Sequence, residues 1–448
     1  MVDIVIIGAG PAGYETALLG AKSNLKVVLI EKNEIGGTCL QVGCIPTKTF
    51  YRNAEVLRLL KESDEFGIVH SGFTFDFSKA LSRKNEVVRE LTEGIKFSLV
   101  KAGVELIYGE ASLVDSLHVN VGDQTIETKY IMIATGSSEI RLNIPGNHLP
   151  NVITSKEILS IPSVPERLTI IGAGYIGAEF ASIFSEFGSK ITLIEFMDSI
   201  VPALDAELSK RLHALMKRQG IQIHTKTRVE RIEQTGESLT VKAIFKEKEM
   251  SFESDVVLLA TGRAPVFNAS KLDAVGIAHD HKKILVNSYF QTSIPNIYAI
   301  GDVTGGKMLA HVASFQGKKA LSHLLGKEAN INFDLVPSAM FTFPEAASVG
   351  KTEEEAIAQG LNIRTSKYLY RANGKAMALK ETDGFVKIII DEFDHIIGAH
   401  IIGAHASDII HELSSLMVVG IKIRDYLNII HAHPTLIEVI QEAARGFE

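Results

Sequence analysis

An α/β architecture made of two copies of one parallel-sheet unit, followed by a separate C-terminal domain, is what this 448-residue sequence predicts. Three observations carry the prediction. A strand that runs into Gly-x-Gly-x-x-Gly and a helix occurs twice. Each copy closes on the same tripeptide, Ala-Thr-Gly. Beyond about Val336 the hydrophobic pattern changes to short strands followed by a broadly apolar helix.

In the first copy, Ile4-Val5-Ile6-Ile7 leads into Gly8-Ala9-Gly10-Pro11-Ala12-Gly13 and a helical pattern from Tyr14 to Lys22. A second strand, Val27-Val28-Leu29-Ile30, ends at Glu31. The first glycine makes the tight turn, the second lets backbone approach a pyrophosphate, and the third lets helix pack on strand. The acidic residue suits a ribose 2′-hydroxyl. A lone glycine motif is a weak signal; strand, turn, helix, strand and acid together are a strong one.

The second copy repeats the unit. Leu168-Thr169-Ile170-Ile171 leads to Gly172, Gly174 and Gly177, and Ile191-Thr192-Leu193-Ile194 ends at Glu195. First glycine and acid are 23 residues apart in both copies. The closing strands end at Ala134-Thr135-Gly136 and Ala260-Thr261-Gly262, which lie 128 and 90 residues beyond Gly8 and Gly172. The surplus falls mainly after Cys44, where apolar residues recur at helical spacing between Ala54 and Val100. Two Rossmann-like units, one for FAD and one for NAD(P), are therefore expected.

The only two cysteines, Cys39 and Cys44, follow the first copy closely. Four intervening residues can bring two sulfurs within disulfide reach. Pro46 suits the first turn of a helix, which puts Cys44 near the positive end of a helix dipole, where a thiolate is favoured. Spacing alone leaves open two buried thiols, half a zinc site or a structural bridge. Zinc wants about four ligands, and the nearest histidine in sequence is His70. A staple across so short a loop removes little unfolded-state entropy. Beside two dinucleotide units the redox-active disulfide is the favoured reading, because a disulfide takes electrons from nicotinamide only through a flavin. The first copy should then hold FAD and the second NAD. Glu195 would pair with a free 2′-hydroxyl and repel a 2′-phosphate, and no arginine stands between it and Arg211.

Composition excludes several classes. A net charge of −7 gives no basis for nucleic acid or an anionic membrane as partner. No apolar run approaches the ~18 residues of a membrane span. A strand pattern begins at Asp3, so no signal peptide is expected and a cytoplasmic setting is. There a cysteine pair is more often catalytic than structural.

Farther along, the strand Asn296 to Ile300 ends at Gly301-Asp302, and a carboxylate at a strand's C-terminal end either meets a ligand or makes a plain turn. In the C-terminal domain, strands are expected over Gly384 to Ile390 and Ile396 to Ile402. A helix from Asp408 to Gly420, apolar over much of its circumference, suits burial between subunits. The chain closes on His431-Ala432-His433-Pro434-Thr435-Leu436-Ile437-Glu438, with Pro434 expected to start a helix carrying Glu438. Such a carboxylate can orient an imidazole as a general base. A helix-start histidine with a solvated glutamate is the plainer reading of the same spacing. No third ligand supports a metal at the two histidines.

Two segments, Gly36 to Lys48 (GGTCLQVGCIPTK) and His431 to Glu438 (HAHPTLIE), resemble the dihydrolipoamide dehydrogenases among the disulfide flavoprotein reductases. The resemblance spans the whole chain. It implies an FAD domain over 1–145 and 266–334, an NAD domain over 146–265 and an interface domain over 335–448. It implies a homodimer with an active site shared between chains, serving lipoyl-bearing domains of a 2-oxo acid dehydrogenase or glycine cleavage complex. Cys39 is implied as the sulfur that exchanges with a dithiol, and Cys44 as the charge-transfer thiolate against the flavin. His433 is implied as the base oriented by Glu438, and Lys48 as the lysine beside the flavin with Glu179 as its ion-pair partner. Ala111, Thr135, Gly136, Asp302 and Ala310 fall at FAD contacts, Val229 and Gly262 at NAD contacts. Departures at Gln41, Thr47 and Phe341 to Pro344 are expected to leave every chemical group untouched. Glutathione-type reductases share the fold but favour a phosphorylated cofactor, and a non-catalytic flavin-binding sensor is the rival of another class.

Overall fold

The computed structural model describes residues 1–448. Both glycine-motif units form parallel sheets of matching order. In the first, the strand Val2–Ile7 lies between Val27–Glu31 and Gln124–Ile133, with Glu105–Tyr108 beyond the former and Ile297–Ala299 beyond the latter. Val27 to Ile30 are all buried, as a strand covered on both faces requires. In the second, Arg167–Ile171 lies between Lys190–Ile194 and Val256–Leu259, flanked by Gln222–His224 and Val152–Thr154. The return of Ile297–Ala299 to the first sheet means the second unit is inserted into the first. A short antiparallel pair, Ser137–Glu139 with Arg263–Pro265, links the two.

The helical surplus of the first copy is two helices, Cys44–Lys61 and Phe77–Lys101. The helical pattern expected to run from Ala54 to Val100 is interrupted between them, at Glu62 to Asp76, where Gly67 and Gly72 adopt positive φ. Phe50 and Phe77 of this insert, 5.6 Å apart by ring centroid, each pack with Phe187 of the second unit at 5.9 Å. Aromatic pairs of this kind contribute about 0.5–1.5 kcal/mol beyond the area they bury. The insert is thereby fastened to the helix Tyr175–Phe187, which carries Glu179.

The C-terminal domain is a five-stranded antiparallel sheet ordered Ser338–Met340, Ala346–Gly350, Ile396–Ile402, Phe385–Asp391, Ile363–Leu369. The broadly apolar helix runs Ala406–Val419, and its Ile409, Ile410, Leu413 and Met417 are buried. Lys387, 2% exposed, joins this sheet to the second unit through Asp205 at 2.8 Å and also pairs with Glu353 of its own domain at 2.6 Å. Pro434 does not start the last helix. That helix is Glu438–Arg445, because Glu438 Oε2 takes the Thr435 N–H at 2.7 Å and Thr435 Oγ1 donates to the Ala432 carbonyl, closing a turn first. No helix is long and apolar enough to cross a membrane.

Candidate active site

Gly43 separates a short helix, Gly37–Val42, from the long helix that Cys44 opens. A Cβ at Gly43 would press on the Thr38 carbonyl, so glycine permits the tight junction that folds Cys39 back toward Cys44. The expected disulfide is open here: both cysteines are free thiols, hydrogen-bonded to each other. That bond, above all, lowers Cys44 to about 7; burial opposes it, Lys48 assists and Glu179 opposes. Cys39, the donor, moves upward for the same reason, reinforced by burial. The pair is thus asymmetric: Cys44 is the thiol that ionises first, favoured by the other thiol and by the helix start.

Lys48 lies one turn along the same helix. Its Nζ sits 2.9 Å from both carboxylate oxygens of Glu179, which is almost buried. The Phe341 N–H donates to the same carboxylate at 3.0 Å, and Lys48 Nζ lies 4.4 Å from the Phe341 ring centroid. This corrects one expectation: the departure at Phe341 does touch a proposed chemical group, because the loop from the C-terminal domain closes over the ion pair. Gln41 and Thr47 stay in the supporting frame. Gln41 Nε2 donates to the Ile35 carbonyl and Thr92 Oγ1, and Thr47 Oγ1 to the Gly43 carbonyl.

The two glycine turns are built alike. A Cβ at Gly8 (φ +103°) would drive into the Ala134 carbonyl, and one at Gly172 (φ +102°) into that of Ala260. Gly13 and Gly177 press on Gly8 and Gly172 in the same way. The middle glycines differ: nothing lies within 4 Å of a Cβ at Gly174, and only Gly37 Cα, at 4.0 Å, meets one at Gly10. These open helix starts leave backbone N–H groups facing outward, a cradle that fits a pyrophosphate. Glu31 accepts the N–H of Ala9 at 2.7 Å and of Asn33 at 2.8 Å. Glu195 does the same with Ala173 at 2.6 Å and Met197 at 2.8 Å. Each carboxylate is fixed in direction and keeps lone pairs for a ribose hydroxyl. Both units therefore fit the dinucleotides expected of them.

Around the first cradle, Ala111 opens a hairpin strand just beyond Glu105–Tyr108, and Ala310 opens the helix Ala310–Leu324. Thr135 Oγ1 donates to the Val266 carbonyl at 2.5 Å, Gly136 takes φ +72°, and Asp302 accepts from Ser137 Oγ at 2.6 Å. In the second unit, Gly262 (φ +104°) lies in the short link between the strands Val256–Leu259 and Arg263–Pro265. Val229 is buried in the cluster that holds Ile232 and Val241, a bulge between Val229 and Arg231 bringing Val229 and Ile232 to one face, so its backbone is what is left to meet a cofactor. Glu179, on the first helix of the second unit, gives its carboxylate to Lys48, the ion pair that the resemblance implies, and to the Phe341 N–H.

Arg263 escaped the sequence reading. It donates to Ser137 Oγ and carbonyl, Glu139 and Thr38 Oγ1, joining the crossover strands to the cysteine segment. A basic residue directly after Ala-Thr-Gly was the available signal.

His433 and Glu438 do meet: Nδ1 lies 2.9 Å from Oε1. Glu438 is held below the usual carboxylate range by the Thr435 N–H first, then by the bond to His433. His433 is 78% exposed, and Glu438 is its only hydrogen-bond partner within the chain. No three His, Cys, Asp or Glu side chains converge in a way that could hold a metal ion.

The family model for pyridine nucleotide-disulphide oxidoreductases matches residues 2–317, and that for their dimerisation domain matches residues 336–444. A dihydrolipoyl dehydrogenase of Bacillus subtilis (strain 168) is 39% identical over 450 residues, covering 99% of this chain and 95% of the relative. One from Chlamydia muridarum is 38% identical over 451 residues, covering 99% and 96%. Among solved structures, LpdA from Mycobacterium tuberculosis superimposes with a TM-score of 0.92 at 27% identity, covering 100% of both chains. The HOCl-induced flavoprotein disulfide reductase RclA from Escherichia coli, as its Cu(II) complex, gives 0.90 at 29%, covering 100% and 99%. With two glycine cradles, a thiol pair on a helix start and a matching dimerisation domain, the chain belongs to the pyridine nucleotide-disulphide oxidoreductases.

Proposed function

We propose that the chain is a dihydrolipoyl dehydrogenase, oxidising the dithiol of a lipoyl group at Cys39 and Cys44 and delivering the electrons to NAD. The observation that carries the reading is the asymmetric thiol pair beside the Lys48–Glu179 ion pair. The relatives named above support the substrate class. Residues 1–145 with 266–334 would hold FAD through the Gly10 turn, Glu31, Lys48, Thr135, Asp302 and Ala310. Residues 146–265 would hold NAD through the Gly174 turn, Glu195, Gly262 and the backbone at Val229. Residues 335–448 would pair two chains.

His433, neutral on the nitrogen opposite its bond to Glu438, takes a proton from one substrate thiol. The substrate thiolate attacks Cys39 Sγ in the oxidised pair. The S–S bond breaks and its electron pair leaves on Cys44. The second substrate thiol then displaces Cys39, which accepts a proton, and a disulfide product departs. Lys48 holds positive charge beside the Cys44 thiolate and is itself held by Glu179. Bound FAD supplies the two-electron carrier that connects this dithiol to the nicotinamide. A reducing compartment suits the reading, because a cysteine pair cycles there rather than staples. The partners would be lipoyl-bearing proteins of a 2-oxo acid dehydrogenase or glycine cleavage complex.

Anaerobic titration of the FAD-loaded protein with dihydrolipoamide should reduce it by two electrons per chain, and adding NAD should return them. Absence of reduction by dihydrolipoamide, with the thiols intact, sinks the assignment. The Glu195 carboxylate should also select NAD. Glu195→Ala should weaken NAD binding by about 1.5–3 kcal/mol, the range for hydrogen bonds to charged groups, and narrow the preference over NADP. A wild-type protein that prefers NADP would contradict the reading of Glu195.

A further inference from the structure

Arg263 opens the strand Arg263–Pro265, which returns the chain from the second unit to the first and pairs with Ser137–Glu139 on the outward path. Three residues pair on each side, and a lone two-stranded ribbon is only marginally stable in water. The Arg263 side chain is 14% exposed, and four of its five N–H donors are taken. Nε donates to Ser137 Oγ at 2.8 Å and Nη1 to Glu139 Oε1 at 3.0 Å. Nη2 donates to the Ser137 carbonyl at 2.7 Å and to Thr38 Oγ1 at 3.3 Å. Ser137 Oγ gives its own proton to Asp302 Oδ2 at 2.6 Å, so a lone pair is what receives Arg263. One side chain thus spans the exit of the nicotinamide unit, the carboxylate proposed to hold FAD and the segment that carries Cys39.

We infer that Arg263 is a positioning residue for the electron step between the two cradles. It fixes how the nicotinamide unit stands relative to the flavin unit, and so governs hydride transfer between their nucleotides while leaving the binding of each alone. This rests on the reading of the first unit as the flavin site and the second as the nicotinamide site, and is independent of the lipoyl substrate. Each cradle is built inside its own unit, from Gly8, Gly13 and Glu31 or from Gly172, Gly177 and Glu195. Loss of Arg263 therefore leaves both cradles whole. Their separation and angle are set by contacts that cross from unit to unit. Lys48–Glu179, Lys61–Glu186 and the packing on Phe187 all fasten the insert to the helix Tyr175–Phe187, and so make one attachment. One attachment leaves a pivot, and the planar Arg263 fork on the crossover ribbon supplies a second. Hydride transfer is the step that feels a pivot, because reacting atoms have to meet at about 3–3.5 Å. The bond to Thr38 is the longest of the four, so the cysteine segment depends on Arg263 least.

The test is anaerobic mixing of FAD-loaded wild type, Arg263→Met and Arg263→Lys with NADH, following flavin bleaching as NADH gives its hydride to FAD and leaves as NAD. Arg263→Met has no donor; Arg263→Lys keeps the charge beside Glu139 but cannot fork. Both variants should lose about tenfold to a hundredfold in limiting rate. The NADH Kd should be nearly unchanged, and dihydrolipoamide should reduce the variants close to the wild-type rate. The Ile140 and Val266 amides donate to the Gly262 and Gly136 carbonyls at the ends of the ribbon. Hydrogen exchange at both should speed up in the variants with no NADH present, and unchanged exchange there contradicts the inference. Full recovery of the limiting rate in Arg263→Lys makes charge the agent and overturns the positioning role. An unchanged limiting rate overturns it too, as does a loss spread evenly over NADH affinity, both half-reactions and Tm, which makes Arg263 structural. Arg263→Lys decides the matter alone if Arg263→Met does not fold. A wild type that NADH reduces and dihydrolipoamide does not sinks the proposed substrate and leaves this inference standing.

Discussion

Cys44→Ser should abolish lipoamide-linked turnover, a loss on the order of 10⁴-fold or more, as for removal of other covalent-catalysis residues. Serine keeps the shape of the helix start but supplies no sulfur to accept the electron pair when the S–S bond opens. Cys39→Ser should be equally inactive for a different reason, since Cys44 remains as a thiolate with no partner to exchange with substrate. The two variants separate by alkylation. With Cys39 present, Cys44 titrates at about 7, so iodoacetamide should react faster as pH rises through that value. The hydroxyl introduced by Cys39→Ser can still donate a hydrogen bond, and Lys48 still stands nearby, so this variant should keep a reactive thiol. Cys44→Ser should lose it, because Cys39 is displaced upward by donating to Cys44 and by burial. Lipoamide turnover surviving in both variants would remove the cysteine pair from the reaction.

Mixing two inactive variants should restore activity. The base and its carboxylate are 2.9 Å apart in the C-terminal domain, yet no hydrogen bond or ion pair ties them to the cysteine segment of their own chain. In the shared-site dimer that the resemblance implies, two-fold symmetry puts this pair from each chain into the other's site. Refolding Cys44→Ser with His433→Gln, each nearly inactive alone, yields mixed dimers in which one site collects both defects and the other is whole. Random pairing makes half the dimers mixed with one good site in two, so about a quarter of wild-type activity should return. If thiols and imidazole came from one chain, every site would stay defective. Mixed dimers verified by mass but showing no recovery would refute a shared site.

The local chemistry of this protein was legible because it is written in short, contiguous segments. Glycine spacing and the acid 23 residues on predict the same turn twice, and both turns form with the same backbone bonds to Glu31 and Glu195. Pro46 and the cysteine spacing predict a thiol at a helix start, which is where Cys44 lies. The C-terminal strands and the helix after residue 405 also lie within a residue or two of expectation. Period and punctuation are properties of neighbouring residues, so they survive without a fold.

What the sequence could not convey are the contacts between segments far apart in the chain. Phe341 reads as a mild departure, yet it lies over Lys48, 293 positions away in the chain. Arg263 is marked in the sequence only by following Ala-Thr-Gly, and it reaches Thr38 only through the crossover. Val229 reads as a cofactor contact, and only the fold shows that its side chain is buried in the core, which leaves the backbone for that contact. Glu412 is one acid among many on an apolar helix until folding brings His431 and Tyr426 onto it. The amino-acid sequence by itself determined two nucleotide cradles, a thiol pair and an imidazole–carboxylate pair, because each is built from local backbone geometry. Only the tertiary structure decided which charges face those groups, because charge acts through space, and proximity here is set by packing rather than by position along the chain.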